Sequence, residues 1–250
     1  MMSGRRGIRN DDLQRVYAIG DIHGRLDLLL LLEALIAEDL EQFPVERPGI
    51  CYLGDYIDRG PDSRGVIDHL ARPPEDGIER ICLLGNHEDR FLGFLADPML
   101  GEAWFGYGAA AAMASYGVDA PERPSFSQLE RLQKTLALAL PEPHRHFLEN
   151  LALSLSWQGY LFVHAGIRPG RPPEDQDPHD LIWIRDPFLS STENFGLRIV
   201  HGHAISAEPE VKPNRIGIDT GAYRSGRLTA LAADPGKFRF LQSLTPSYAS

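Results

Sequence analysis

Cysteine is nearly absent from this chain: 250 residues hold two, Cys51 and Cys82. That excludes a disulfide framework and a thiolate metal site. Each lies inside an apolar run, the setting of a buried, reduced thiol. Basic residues are short as well, 25 Lys and Arg against 35 Asp and Glu, a formal net charge of −10. Such a surface repels a phosphate backbone on average, so no nucleic-acid partner is expected. A small phosphate ester is not excluded, because bound cations can dominate the field inside a cleft. No apolar run is long enough to cross a bilayer, since Leu28 to Leu32 is broken by Glu33. Met1 to Asp12 is polar, carries Arg5, Arg6 and Arg9, and has no apolar segment behind it, unlike a signal peptide. No membrane partner is expected, and the cytoplasm is the expected location. Internal repeats and low-complexity segments are missing too.

What is present is a recurring design. Ile50-Cys51-Tyr52-Leu53, bulky and apolar enough for a buried strand, runs into Gly54-Asp55-Tyr56-Ile57-Asp58-Arg59-Gly60. Val16 to Ile19 runs into Gly20-Asp21-Ile22-His23-Gly24, and Ile81 to Leu84 into Gly85-Asn86-His87-Glu88. Tyr160 to Val163 precedes His164-Ala165-Gly166, and Leu197 to Val200 precedes His201-Gly202-His203. Ligands of open α/β sheets bind outside the carboxyl ends of the strands, so five such ends can converge on one site. Turn chemistry accounts for Asp, Asn and Gly but not for the histidines.

Between these runs the spacing predicts helices over Leu26 to Glu41, from Asp62 to the Pro73-Pro74 stop, and through Asp89 to Leu95. This alternation predicts a largely parallel sheet. Trp104 to Tyr116, Ser125 to Leu140 and Pro141 to Leu151 read as further helices, a helical cap at about 98–152. Leu153 to Trp157 and Tyr160 to Val163 read as a hairpin, Arg168 to Pro178 as a loop, and His179 to Arg185 as a short helix. Leu197 to Leu244 reads as alternating strands and turns forming a second sheet, mixed or antiparallel. Residues 1–14 are expected to be a flexible tail and 15–250 a single domain.

Asp, Asn and His without Cys offer oxygen and nitrogen ligands, suited to Mn²⁺, Fe or Zn²⁺. A pair of divalent ions needs a shared carboxylate, and Asp55 stands at the centre of the set. Such a pair polarises a phosphate and lowers the pKa of a shared water, yielding a hydroxide nucleophile. His87 is placed to protonate the leaving oxygen and Asp58 to orient it, while Arg59 and Arg185 can clamp phosphate oxygens.

Gly-Asp-Ile-His-Gly, Gly-Asp-Tyr-Ile-Asp-Arg-Gly and Gly-Asn-His-Glu in that order, with the later His-Ala-Gly and Gly-His, resemble the phosphoprotein phosphatase family of two-metal phosphatases, in its small bacterial and phage-type serine/threonine branch. The motifs span positions 20 to 203, and Asp219-Thr220-Gly221 extends the likeness over most of the chain. The resemblance implies a calcineurin-like metallophosphoesterase of the α/β class, two mixed β-sheets in a sandwich flanked by helices. It implies Asp21 and His23 on the first metal, Asp55 bridging, and Asn86, His164 and His203 on the second. It likewise implies His87 as acid with Asp58 beside it, Arg59 and Arg185 on the phosphate, and two divalent ions, foremost Mn²⁺.

Diadenosine tetraphosphate hydrolases, which are similar, typically carry Ala where this chain has Asp58 and Asp where it has Glu88. Small bacterial members often have Asn-Gly-Gly where this chain reads Tyr107-Gly108-Ala109. The expected substrate is phosphoserine or phosphothreonine in proteins, with phosphotyrosine left open. The alternatives are a dinucleoside polyphosphate hydrolase and a non-catalytic scaffold on the same fold. His201 is expected to pack rather than bind, Tyr223 to lie in core more readily than at the site, and Glu88 to cap or orient its helix. His69, His144, His146 and His179 are expected on the surface, and Asp27, Glu38 and Asp39 on a solvated helix face.

Overall fold

The computed structural model describes residues 5–74 and 77–245. In chain order the elements are β1 (Gly7–Arg9), β2 (Arg15–Ile19), α1 (Leu26–Gln42), β3 (Pro48–Tyr52), α2 (Ser63–Leu70), β4 (Glu79–Cys82) and α3 (Asn86–Ala96). A short 3₁₀ turn (Pro98–Leu100) leads into α4 (Gly101–Phe105), α5 (Ala109–Ser115), α6 (Phe126–Ala139) and α7 (Glu142–Glu149). There follow β5 (Ser154–Trp157), β6 (Tyr160–Val163), α8 (Pro178–Trp183), β7 (Arg198–His201), β8 (Glu210–Val211), β9 (Arg215–Gly217), α9 (Ala222–Ser225), β10 (Arg227–Asp234) and β11 (Lys237–Leu244).

One sheet has the order β11-β10-β2-β3-β4, with β2, β3 and β4 parallel, as the strand–helix alternation predicts. The other has the order β1-β5-β6-β7-β9-β8 and is mixed. The period of two along each strand explains the stacking. Val16, Ala18, Cys51 and Leu53 share one apolar layer with Trp157, Phe162, Val200 and Ile216 of the other sheet. Their neighbours Tyr17, Ile19, Ile50 and Tyr52 point the opposite way, into a second core with the leucines of α1 and the aromatics of α3. Strands buried on both faces read as continuous apolar runs, which is why they were visible in the sequence.

Helix ends follow local chemistry. Asp62 caps α2 by accepting from Gly65 N at 2.8 Å, and Ser125 and Gln128 form a capping box on α6. The helix expected over Trp104 to Tyr116 is instead two, broken at Gly108, whose φ of +96° an L-residue with a side chain resists. Helices α4, α6 and α7 pack on α3, and α5 and α7 on α2; in α4 the Trp104 ring lies 5.2 Å from both Phe91 and Phe94.

Several expectations are corrected. The tail is tied down from residue 5: Arg5 donates to Leu148 and Leu151 carbonyls, and β1 pairs in parallel with β5. Gly7-Ile8-Arg9 is too short and polar to announce a strand; the open edge of β5 recruits it. Strands β10 and β11 join the first sheet rather than the second, β10 pairing with β2. Asp39 is buried, bound by Arg239 and by the Tyr17 hydroxyl at 2.5 Å. His144 is buried too, between the Tyr116 hydroxyl at 2.9 Å and Asp68 at 2.8 Å, and His69 is half-buried on Glu33 at 2.6 Å. In each case distant partners, absent from the local pattern, supply the burial.

Candidate metal centre

The loops after β2, β3 and β7 and the first turn of α3 meet at one cavity of about 380 Å³, with His164, after β6, close to Asp55 and His203. Asp21, Asp55, Asn86, His87 and His203 reach it, with Arg59 and Arg185 on its rim. Backbone contacts lock the loops to one another. The Asp55 carbonyl accepts from Ile22 N and His23 N at 3.1 and 2.8 Å. Glu88, wholly buried, accepts from Gly85, Asp55, Tyr56 and Ile57 N–H groups, so it orients its own helix and also ties down the Asp55 loop. A Cβ on Gly54, whose φ is +105°, would lie 2.6 Å from Gly85 N; only glycine lets these two loops touch.

The described residues include six non-glycine positions with positive φ, and five are His23, Asp55, Asp58, Arg59 and His203. Left-handed backbone costs such residues about 1–3 kcal/mol each. Concentrating it here aims side chains inward at the expense of stability.

Two groups of ligand atoms lie within 4.8 Å of one another: His23, Asp55 and His87, and Asp55, His164 and His203. Asp55 belongs to both. Its Oδ2 lies 3.6 Å from His23 Nε2 and its Oδ1 3.4 Å from His164 Nε2. Asn86 Oδ1 lies 2.9 Å from His164 Nε2. Asp21 falls outside both groups, yet it lines the same cavity and its two oxygens accept from His203 N at 3.1 Å.

The donor set fits a cation. His23 and His164 each face a backbone carbonyl with Nδ1, Ile57 O at 2.8 Å and Leu53 O at 3.0 Å. Burial lowers the pKa of both, so the neutral rings donate from Nδ1 and present Nε2 lone pairs inward. The His164 lone pair then faces the Asn86 amide oxygen, two acceptors that a shared cation would reconcile. Burial also pushes up the Asp21 carboxyl, helped by Asp219 and Asp55, and raises Asp219 to about 6. Burial acts on Asp55 in the same direction, but the surrounding imidazoles overcome it and hold the carboxyl well below the usual range. Crowded buried carboxylates of this kind want positive charge.

His87 differs from the other imidazoles. Burial works against its charge, but Asp55 and Asp58 outweigh it and raise the pKa. Its Nδ1 lies 2.6 Å from Asp58 Oδ2, and its Nε2 lies 3.7 Å from Asp55 Oδ2. Arg59 NH1 donates to His23 Nε2 at 3.1 Å, and Arg185, exposed on the rim, donates to the His203 carbonyl at 3.2 Å.

His201 ends β7 with its ring on Phe188 and Arg215, and does not line the cavity. Tyr223 does line it, from α9 rather than a strand, with its ring edge-on to His23 at 5.4 Å and under Arg59. Sequence reasoning missed Tyr107 and Trp183, which form the opposite wall, their rings 5.7 Å apart. It also gave Asp219 no role, although Asp219-Thr220-Gly221 repeats the pattern of a carboxylate beside glycine after a strand.

The profile of the family described as "Calcineurin-like phosphoesterase" matches residues 14–228. The chain is 27% identical over 234 residues to "Serine/threonine-protein phosphatase 2" of Salmonella typhimurium, spanning 88% of this chain and 94% of that protein. It is 28% identical over 236 residues to "Bis(5'-nucleosyl)-tetraphosphatase PrpE [asymmetrical]" of Bacillus cereus, spanning 85% and 88%. Among solved structures, a putative diadenosine tetraphosphatase superposes with a TM-score of 0.66 at 20% identity, over 96% of this chain and 99% of that one. A cold-active protein-tyrosine phosphatase of a psychrophilic Shewanella superposes with a TM-score of 0.58 at 16% identity, over 94% and 82%. At these identities the superpositions carry the fold alone.

Proposed function

Because the chain belongs to the calcineurin-like phosphoesterase family and is a hydrolase, we propose that it is a metal-dependent phosphomonoesterase acting on phosphoserine and phosphothreonine in proteins. Asp21 and His23 would hold one divalent ion, Asn86, His164 and His203 a second, and Asp55 both. Oxygen and nitrogen donors suit Mn²⁺ first, with Fe or Zn²⁺ as alternatives. When bound, such ions polarise the phosphate and lower the pKa of water. Arg59 and Arg185 neutralise phosphate oxygens at the rim. His87 holds a proton at Nε2 for the departing oxygen while Asp58 accepts from Nδ1.

The Asp58–His87 pair, at 2.6 Å and wholly buried, carries the reading. An alkoxide leaving a phosphoserine is strongly basic and needs that proton. A nucleotide leaving a polyphosphate is weakly basic and needs it far less. A built proton donor therefore favours the alkyl ester. A second reading rests on the aromatic walls Tyr107, Trp183 and Tyr223, which offer faces to a planar base, and on the PrpE relative. Side-by-side turnover of a phosphothreonine peptide and diadenosine tetraphosphate by the Mn²⁺-loaded protein decides between them. A higher kcat/KM on the peptide supports the proposal, and a higher value on the dinucleotide overturns it.

A further inference from the structure

We propose that Trp104 is a positioning residue for the proton donor: its indole N–H pins the Asp58 carboxylate in the orientation that keeps His87 Nδ1 bonded and Nε2 turned to the phosphate. The proposal rests on the reading of His87 as proton donor. Trp104 Nε1 donates to Asp58 Oδ2 at 2.9 Å, the same oxygen that accepts from His87 Nδ1 at 2.6 Å. The other oxygen, Oδ1, is buried and has no partner among the described residues. Two donors thus converge on one oxygen and none on the other. Remove the indole donor, and the carboxyl can turn about its Cβ–Cγ bond with a single anchor left.

The indole cannot be replaced by solvent. Trp104 is 0% exposed, with Phe91 and Phe94 at 5.2 Å and Phe105 at 5.7 Å between ring centroids. Phe91 stands four residues after His87 on α3, one helical turn along the same face. The helix that presents the imidazole therefore also supports the ring that holds the carboxylate. Asp58 itself sits at φ +71° with its N–H on Ser63 Oγ at 3.0 Å, so its backbone is set independently and the side-chain torsions are what Trp104 decides. Helix α4 thereby acts on the chemistry through a hydrogen bond.

Trp104→Phe keeps an aromatic ring and removes the donor. In the Mn²⁺-loaded protein, kcat on a phosphoserine peptide should fall about 10–100-fold, the size of a charge-assisted hydrogen bond. On p-nitrophenyl phosphate, whose leaving group needs no proton, the fall should be about tenfold smaller, with KM for both substrates within about threefold of wild type. In an Asp58→Asn background the same change should add less than about threefold, because the two act as one unit. Equal losses on both substrates, or full additivity with Asp58→Asn, overturn the proposal. His87→Asn separates the two failures: if it depresses both substrates alike, the proton-donor reading falls. If it is selective for the peptide while Trp104→Phe is not, only the role of Trp104 falls. Benzothienylalanine at position 104, which puts sulfur in place of the N–H at nearly unchanged shape, gives the same readout should the phenylalanine variant unfold.

Discussion

Replacing Gly202 with alanine probes the candidate metal centre with a single methyl group. Its φ lies outside the left-handed region, so no dihedral angle is strained by the change. A Cβ there would lie 2.0 Å from Asp21 Oδ1 and 3.2 Å from its Cγ. The carboxylate has to retreat by about 1 Å to relieve that contact. In retreating it loosens the His203 N–H contacts, now 3.1 Å to each oxygen. A displacement of about 1 Å at a reacting centre costs about 10²-fold in rate. Overpacking adds about 1–3 kcal/mol of lost stability, a fall of roughly 2–12 °C in Tm for a chain of this size. Turnover of p-nitrophenyl phosphate across a Mn²⁺ titration measures the first loss and a thermal melt the second; kcat/KM should drop about 10²-fold, with weaker metal binding. Gly236→Ala is the control for lost stability alone: its φ of +78° strains a side chain, but its Cβ meets nothing within 4 Å and the β10–β11 turn does not line the cavity, so metal binding should hold. Full metal content together with turnover within about threefold of wild type in Gly202→Ala would refute Asp21 as a ligand.

His87→Asn should lower kcat on a phosphopeptide about 10²–10⁴-fold, with the metal content by atomic emission retained. Adding Mn²⁺ at about 1,000 Kd to chelator-stripped protein should stabilise it by about 4 kcal/mol, seen as a shift of roughly 8–16 °C in a thermal melt. Asp55→Asn should abolish most of that shift, since Asp55 belongs to both ligand groups. Asp39→Asn should cost about 2–3 kcal/mol in urea unfolding at pH 7 by removing the charged acceptor that Arg239 and the Tyr17 hydroxyl share. Burial pushes the Asp39 carboxyl up, but the Arg239 and Tyr17 hydrogen bonds outweigh it and leave the pKa depressed. A depressed carboxyl stabilises above its unfolded value of about 4 and loses that contribution as pH falls through the folded one. The gap between wild type and variant should therefore narrow below about pH 4; a gap that widens there contradicts the assignment.

The sequence by itself determined the strands β2, β3 and β6 and the polar clusters that end them. Both signals are local: a run of apolar residues is a buried strand wherever it lies, and Gly beside Asp, Asn or His marks its carboxyl end. It also placed Asp55 at the centre of the set, because that residue stands between two glycines directly after a strand. Only the tertiary structure decided that β10 pairs with β2, that β1 completes a sheet edge, and that Asp39 and His144 are buried. Only it brought Trp104 onto Asp58, 46 residues away, and Asp219 onto Asp21. Residues this far apart leave no periodic trace on one another; packing in three dimensions, with buried polar atoms needing partners, is what makes them neighbours.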